Sequence, residues 1–113
     1  MLETVPFEKV VNLDLIPQAI LNKPVSYFSE HWSIPFAHKY DQLDSYDQAA
    51  LSLNGVLFVL RHYQHYPAGT TTICLPREIS ELNQITKQIY QIVEALHLSS
   101  AVIRWQRADN PDL

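Results

Sequence analysis

Residues Asn54 to Leu75 read NGVLFVLRHYQHYPAGTTTICL, and the fold turns on how they are read. One reading is helical: Asp44 or Ser45 caps a helix running to Tyr66, with Leu53, Val56 or Leu57, Leu60 and Tyr63 as its apolar stripe. The other makes Asn54-Gly55 a two-residue type I′ turn between a strand at 48–53 and a strand at 56–66. The strands are favoured. A glycine inside a helix costs about 1 kcal/mol relative to alanine, and Val56, Phe58, Val59 and Tyr63 are the branched and aromatic residues that suit a pleated surface. Tyr66-Pro67-Ala68-Gly69 then fits a type I turn followed by a left-handed glycine, a three-residue hairpin connection that brings a strand at 70–75 back alongside.

Downstream, Pro76 ends the hairpin and the period changes. Ile79, Leu82, Ile85, Ile89, Ile92, Val93 and Leu96 recur at steps of three and four, with Glu and Gln between them. This spacing predicts an amphipathic helix about 30 Å long. Leu98-Ser99-Ser100 turns the chain into a last strand at 101–107, with Ala101, Ile103 and Trp105 on one face and Val102, Arg104 and Gln106 on the other. Upstream, residues 7–13 read as a short strand. Pro17 suits the first turn of a short helix through Leu21, which Pro24 would stop. In VSYFSEHWSIPF, Phe28, Trp32, Phe36 and Tyr40 lie four apart, but Pro35 interrupts any helix that would align them. The expected fold is a single α+β domain over 1–113. It has a small mixed, mainly antiparallel sheet, one long amphipathic helix on one face, and a β-α-β unit at the end.

The strand at 56–60 is apolar at every position, so both of its faces need cover. The long helix supplies one side, and the aromatic segment from Tyr27 to Tyr40 is the expected cover for the other. If that segment folds away, the second face becomes a contact surface.

Eight basic residues, twelve acids and a net charge of −4 argue against a nucleic-acid partner, because phosphate binding needs clustered Lys and Arg. No apolar run approaches the roughly 20 residues that span a bilayer, and the N-terminus lacks the basic and apolar pattern of a secretory signal. One cysteine, Cys74, permits no internal disulfide, so a soluble cytoplasmic protein is expected.

With only Gly55 and Gly69, no glycine-rich phosphate loop exists, and there is no nucleophile elbow and no metal motif. No cofactor, metal or catalytic residue is therefore assigned. Cys74 between Ile73 and Leu75 reads as a buried thiol, and His97 as a helix C-terminal residue. His62 and His65, three apart on a strand, point to opposite faces. Arg61, Arg104 and Arg107 would converge on an anion only if their strands were neighbours.

The leading expectation is a small non-enzymatic protein-interaction module, a homodimer being one form of it. Trp32, Phe36, Arg61, His62, Tyr63, His65, Arg104 and Trp105 are its candidate binding residues. The alternative is an enzyme or small-ligand protein whose site draws on His31, His38, His62, His65, Arg61 and the acids of the 41–47 stretch. That reading requires several of those side chains to meet in one cleft.

Overall fold

A computed structural model of the chain describes residues 1–40 and 44–109. It holds seven strands, β1 (Leu2–Thr4), β2 (Leu15–Leu21), β3 (Ala37–Tyr40), β4 (Ser45–Leu53), β5 (Val56–Tyr63), β6 (Thr71–Pro76) and β7 (Ile103–Gln106). Two helices, α1 (Val25–Trp32) and α2 (Leu82–Ala95), complete a mixed α+β fold.

The Asn54-Gly55 step decides the centre. Both residues have positive φ, 52° and 86°, as a type I′ turn demands. Leu53 therefore faces Val56, and the pairs run in step as far as Tyr46 opposite Tyr63. The helical reading of this stretch is excluded. The sheet order is β1-β4-β5-β6-β2-β7, and β3 shares the outer edge of β4 with β1. Every pairing among the described residues is antiparallel. β6, α2 and β7 make the expected β-α-β connection, except that β2 lies between its strands: both run antiparallel to β2 and hence parallel to each other.

Several expectations are corrected. Residues 7–13 form no strand. Phe7–Lys9 is a 3-10 turn, because the segment must bend across the sheet to insert Val10, 2% exposed, among Ala50, Val59 and Cys74. Residues 17–21 are strand, not helix. Pro17 sits at a register shift opposite Cys74, and its carbonyl accepts from Arg107 Nε at 2.9 Å. In a strand the N–H and C=O of one residue point to the same side, so the missing donor faces a region that β7, paired only with Ala19 to Leu21, does not reach. Tertiary pairing has overridden a local helix signal. Pro24 does not end a helix but precedes one, at the N-cap of α1.

The hairpin connection is longer than three residues. β5 ends at Tyr63 and β6 begins at Thr71, although Gly69 has the expected left-handed φ of 78°. Helix α2 has 14 residues, about 21 Å at 1.5 Å each, not 30. Residues 77–81 form the bends that lead into it, and the amide of Arg77 donates to Asp14. His97 closes it in the left-handed conformation, with Leu98 N–H reaching back to Val93 and His97 N–H to Glu94, a Schellman end. The alternation expected for 101–107 also fails. Ile103 opposes Leu21 and Trp105 opposes Ile20, so Arg104 is an extra residue in a bulge and Trp105 lies on the opposite face from Ile103.

Both helices pack on the same face. Phe28 and Ile34 join Ile85, Ile89, Ile92 and Leu96 over Ala19, Leu51, Phe58, Leu60, Ile73 and Leu75, with Trp32 and Phe36 partly buried against them. The aromatic segment thus does not cover the second face. That cover comes from Val5, Val10 and Leu13, packed on Ala50, Leu57, Val59 and Cys74 with Leu15 of β2 beside them. Among the described residues no helix is long and apolar enough to cross a membrane.

A hairpin that sets the register makes its turn and its centre unequal in cost. Gly55→Ala should destabilise the chain by about 1 kcal/mol through backbone strain, and Phe58→Ala, at a site with 0% exposure, by about 3–5 kcal/mol. Urea unfolding curves measure both.

Candidate functional site

Residues directly opposite each other across a sheet share a face, so the register lays side chains out in rows. One row runs across five strands, Gln48, Arg61, Thr72, Ile20 and Trp105. It lies on the face that Val10 covers, one step beyond the Ala50, Val59, Cys74 row, where that cover has ended. A second row, on the helix face, comprises His38, Asp47 and His62 on β3, β4 and β5. It lies one step beyond the apolar row Ala49, Leu60, Ile73 and Ala19.

The first row divides in two. At its β4–β5 end Arg61 Nε donates to Gln48 Oε1 at 2.7 Å, Nη2 donates to the same oxygen, and Nη1 donates to the Tyr63 hydroxyl at 2.6 Å. The guanidinium also lies over the rings of Tyr46 and Tyr63, at 4.7 and 5.4 Å. Arg61 is thereby committed to its neighbours. At the other end Trp105, Ile20, Pro17, Tyr66 and Pro67 form the floor of a depression of about 490 Å³, with Arg104 and Arg107 at its rim. Arg107 is held by the Pro17 carbonyl and lies 5.8 Å from the Trp105 ring centroid. Arg104 is exposed and has no hydrogen bond or ion pair among the described residues. Arg104 beside an apolar floor can receive a carboxylate whose carrier is itself apolar. Arg61 does not join them, since β6 and β2 stand between.

The second row lines another depression of about 490 Å³, together with Tyr40, Ser45, Tyr46 and Gln64. His38 Nδ1 donates to Asp47 Oδ1 at 2.7 Å, the hold by which a carboxylate orients an imidazole. Among the described residues no nucleophile completes that pair: the Ser45 hydroxyl donates to Gln64 Oε1 at 2.5 Å, not to a histidine. His62 Nδ1 is buried and meets no partner among the described residues. Nor does any group of three His, Cys, Asp or Glu among them stand ready to hold a metal ion.

The remaining candidates are dispersed. His65 pairs with Asp44 at 2.5 Å in the loop beyond β5, so it does not meet His62. His31 Nδ1 donates to the Tyr27 carbonyl within α1. Trp32 stands edge-on to His97, 5.2 Å between centroids, and with Phe36 belongs to the rim of the helix-side core. Asp41 lies outside the described residues. Of the sequence candidates, Arg104 and Trp105 therefore meet in one depression, His38, His62 and Asp47 in another, and Arg61 and Tyr63 in a closed cluster. Ile20, Tyr66, Pro67, Ser45 and Gln64 were not singled out from sequence.

Titration follows burial. Cys74 is buried, which pushes its thiol from 9.0 to about 11. Burial also raises the Tyr63 phenol, partly offset by the hydrogen bond from Arg61, and it raises that of Tyr66. All three hold their protons more tightly folded than unfolded, so stability is full below pH 9 and declines as pH rises through 9 to 11 and beyond. Urea midpoints measured from pH 7 to 11 should fall over that window, and Cys74→Ala should remove the earliest part of the fall. A thiol reagent at pH 8 should leave Cys74 unmodified until denaturant is added.

No family model, no curated protein and no solved structure matches this chain.

Proposed function

We propose that this protein is a small non-enzymatic interaction module whose recognition surface is the groove of Trp105, Ile20, Tyr66 and Pro67 rimmed by Arg104 and Arg107. Its partner is an extended protein segment in which an acidic residue neighbours an apolar one. The observation that carries the reading is the pairing of an apolar floor with an arginine, Arg104, that has no hydrogen bond or ion pair among the described residues and lies in β7, the edge strand among them. An edge strand offers main-chain groups to which an extended segment can add, and a neighbouring pocket then selects its side chains. Trp and Arg are also the residues that most often dominate binding energy at interfaces. The sole cysteine, buried and unpaired, is compatible with a reducing, cytoplasmic setting.

An enzymatic reading has less support. The candidate histidines and acids separate into three places, and the imidazole that Asp47 orients has beside it a Ser45 hydroxyl bonded to Gln64 instead.

The test is selection of random dodecapeptides on the immobilised protein. Enriched sequences should pair an acidic residue with apolar or β-branched neighbours. Trp105→Ala and Arg104→Glu should each weaken the selected peptides by about tenfold or more, while Arg77→Ala, engaged with Asp14 elsewhere, should not. Peptides that bind Trp105→Ala as well as the parent protein would refute the groove. A dimer in light scattering that Trp105→Ala dissociates would identify a second copy of the chain as the occupant instead.

A further inference from the structure

We propose that the depression between β3, β4 and β5 is a second and separate site, one that binds an organic ammonium group with Asp47 as its counter-ion. Its character is the reverse of the Trp105 groove. No lysine or arginine lines it; the lining is His38, Tyr40, Ser45, Tyr46, Asp47, His62 and Gln64. The formal charge of this wall is carried by Asp47, with the Asp44 carboxylate three residues away, and the whole chain is at −4. A cation is drawn to such a surface and an anion repelled.

The hydrogen-bonding inventory points the same way. Asp47 uses Oδ1 to accept from His38, and an ionised carboxylate has capacity for further donors on its two oxygens. His62, directly across the ladder from Asp47, has a buried Nδ1 that meets no partner among the described residues. A buried ring nitrogen without a partner is a deficit in a folded chain. An ammonium group brings three donors, which suits the remaining acceptor capacity of the Asp47 carboxylate on this wall.

The third element is aromatic. Tyr40 stands two residues from His38 on the same face of β3, its ring 4.8 Å from the His38 ring and edge-on to it. The residue is 78% exposed, so much of the ring is accessible. A cation over a tyrosine face gains about 0.5–1 kcal/mol at an exposed position. A carboxylate and an open aromatic ring in a wall without lysine or arginine together describe a receptor for a protonated amine. A metal ion demands something different, three or four ligands already converging on one point, and no such group stands among the described residues. The ligand is therefore a primary amine on a small molecule or the end of a lysine-like side chain.

The test is a titration of the ¹⁵N-labelled protein with butylammonium, with 1-butanol as the uncharged isostere and zinc chloride as the metal control. Butylammonium should shift the amides of His38, Asp47, His62 and Gln64 to saturation, and butanol should not. Asp47→Asn keeps an oxygen for His38 to donate to but loses the charge, and should weaken binding by about tenfold. Tyr40→Ala, at an exposed position where folding is not at stake, should weaken it by about threefold. Trp105→Ala should respond as the parent protein does, since it disables only the other groove. Equal response to butanol, or butylammonium shifts that survive both Asp47→Asn and Tyr40→Ala, would overturn the assignment. So would saturable zinc binding abolished by His38→Ala and His62→Ala in a protein that ignores butylammonium.

Discussion

The rest of the molecule depends on the register of one hairpin. Two consecutive residues with positive φ, Asn54 and Gly55, leave the β4–β5 pairing a single alignment, and a slip of one residue would send every side chain of a strand to the opposite face. In the native alignment Phe58 and Leu60 meet the helices while Leu57 and Val59 meet the N-terminal segment. The same alignment places Asp47 against His62 and Gln48 against Arg61. Core and polar features are thus consequences of one turn.

Both faces follow a common plan. Apolar rows occupy the middle of the sheet, where α1 and α2 cover one side and residues 5–15 the other. Where each cover stops, the next row turns polar and aromatic. On one side this yields the Arg61 cluster and the Trp105 groove, and on the other the His38, Asp47, His62 row. Opposite electrostatic character on opposite faces lets one small sheet present two unlike surfaces without mutual interference. The arginine side is further stiffened by stacking on Tyr46 and Tyr63, where a part-buried guanidinium gains from the ring quadrupole.

What could be read from sequence was what local chemistry decides. Asn54-Gly55 specified its turn, Gly69 its left-handed bend, and the three-and-four spacing from Leu82 to Leu96 its helix. The Asp47–His62 pair lay one step outside the strand read over 48–53; β4 in fact begins at Ser45. What escaped was what tertiary contact decides. Pro17 carries a helix-start signal that only the stopping point of β7 contradicts. The bulge at Arg104 that turns Trp105 away from Ile103 has no local mark. The cover of Val59 and Cys74 by Val10 is equally non-local, since residues 5–15 alternate poorly and look like any loop.

The position of β2 has a consequence for how the chain is made. It lies between β6 and β7, so a segment near the start of the sequence pairs only with strands near its end. During synthesis LIPQAIL waits, without its partners, until some fifty residues more have left the ribosome. An apolar segment with both edges open in that interval is an invitation to aggregate. Pro17 lacks an amide proton and Gln18 is polar, and together they interrupt the run where it would otherwise be most adhesive. The same proline that disguises the strand in the sequence thus guards it while the nascent chain is incomplete.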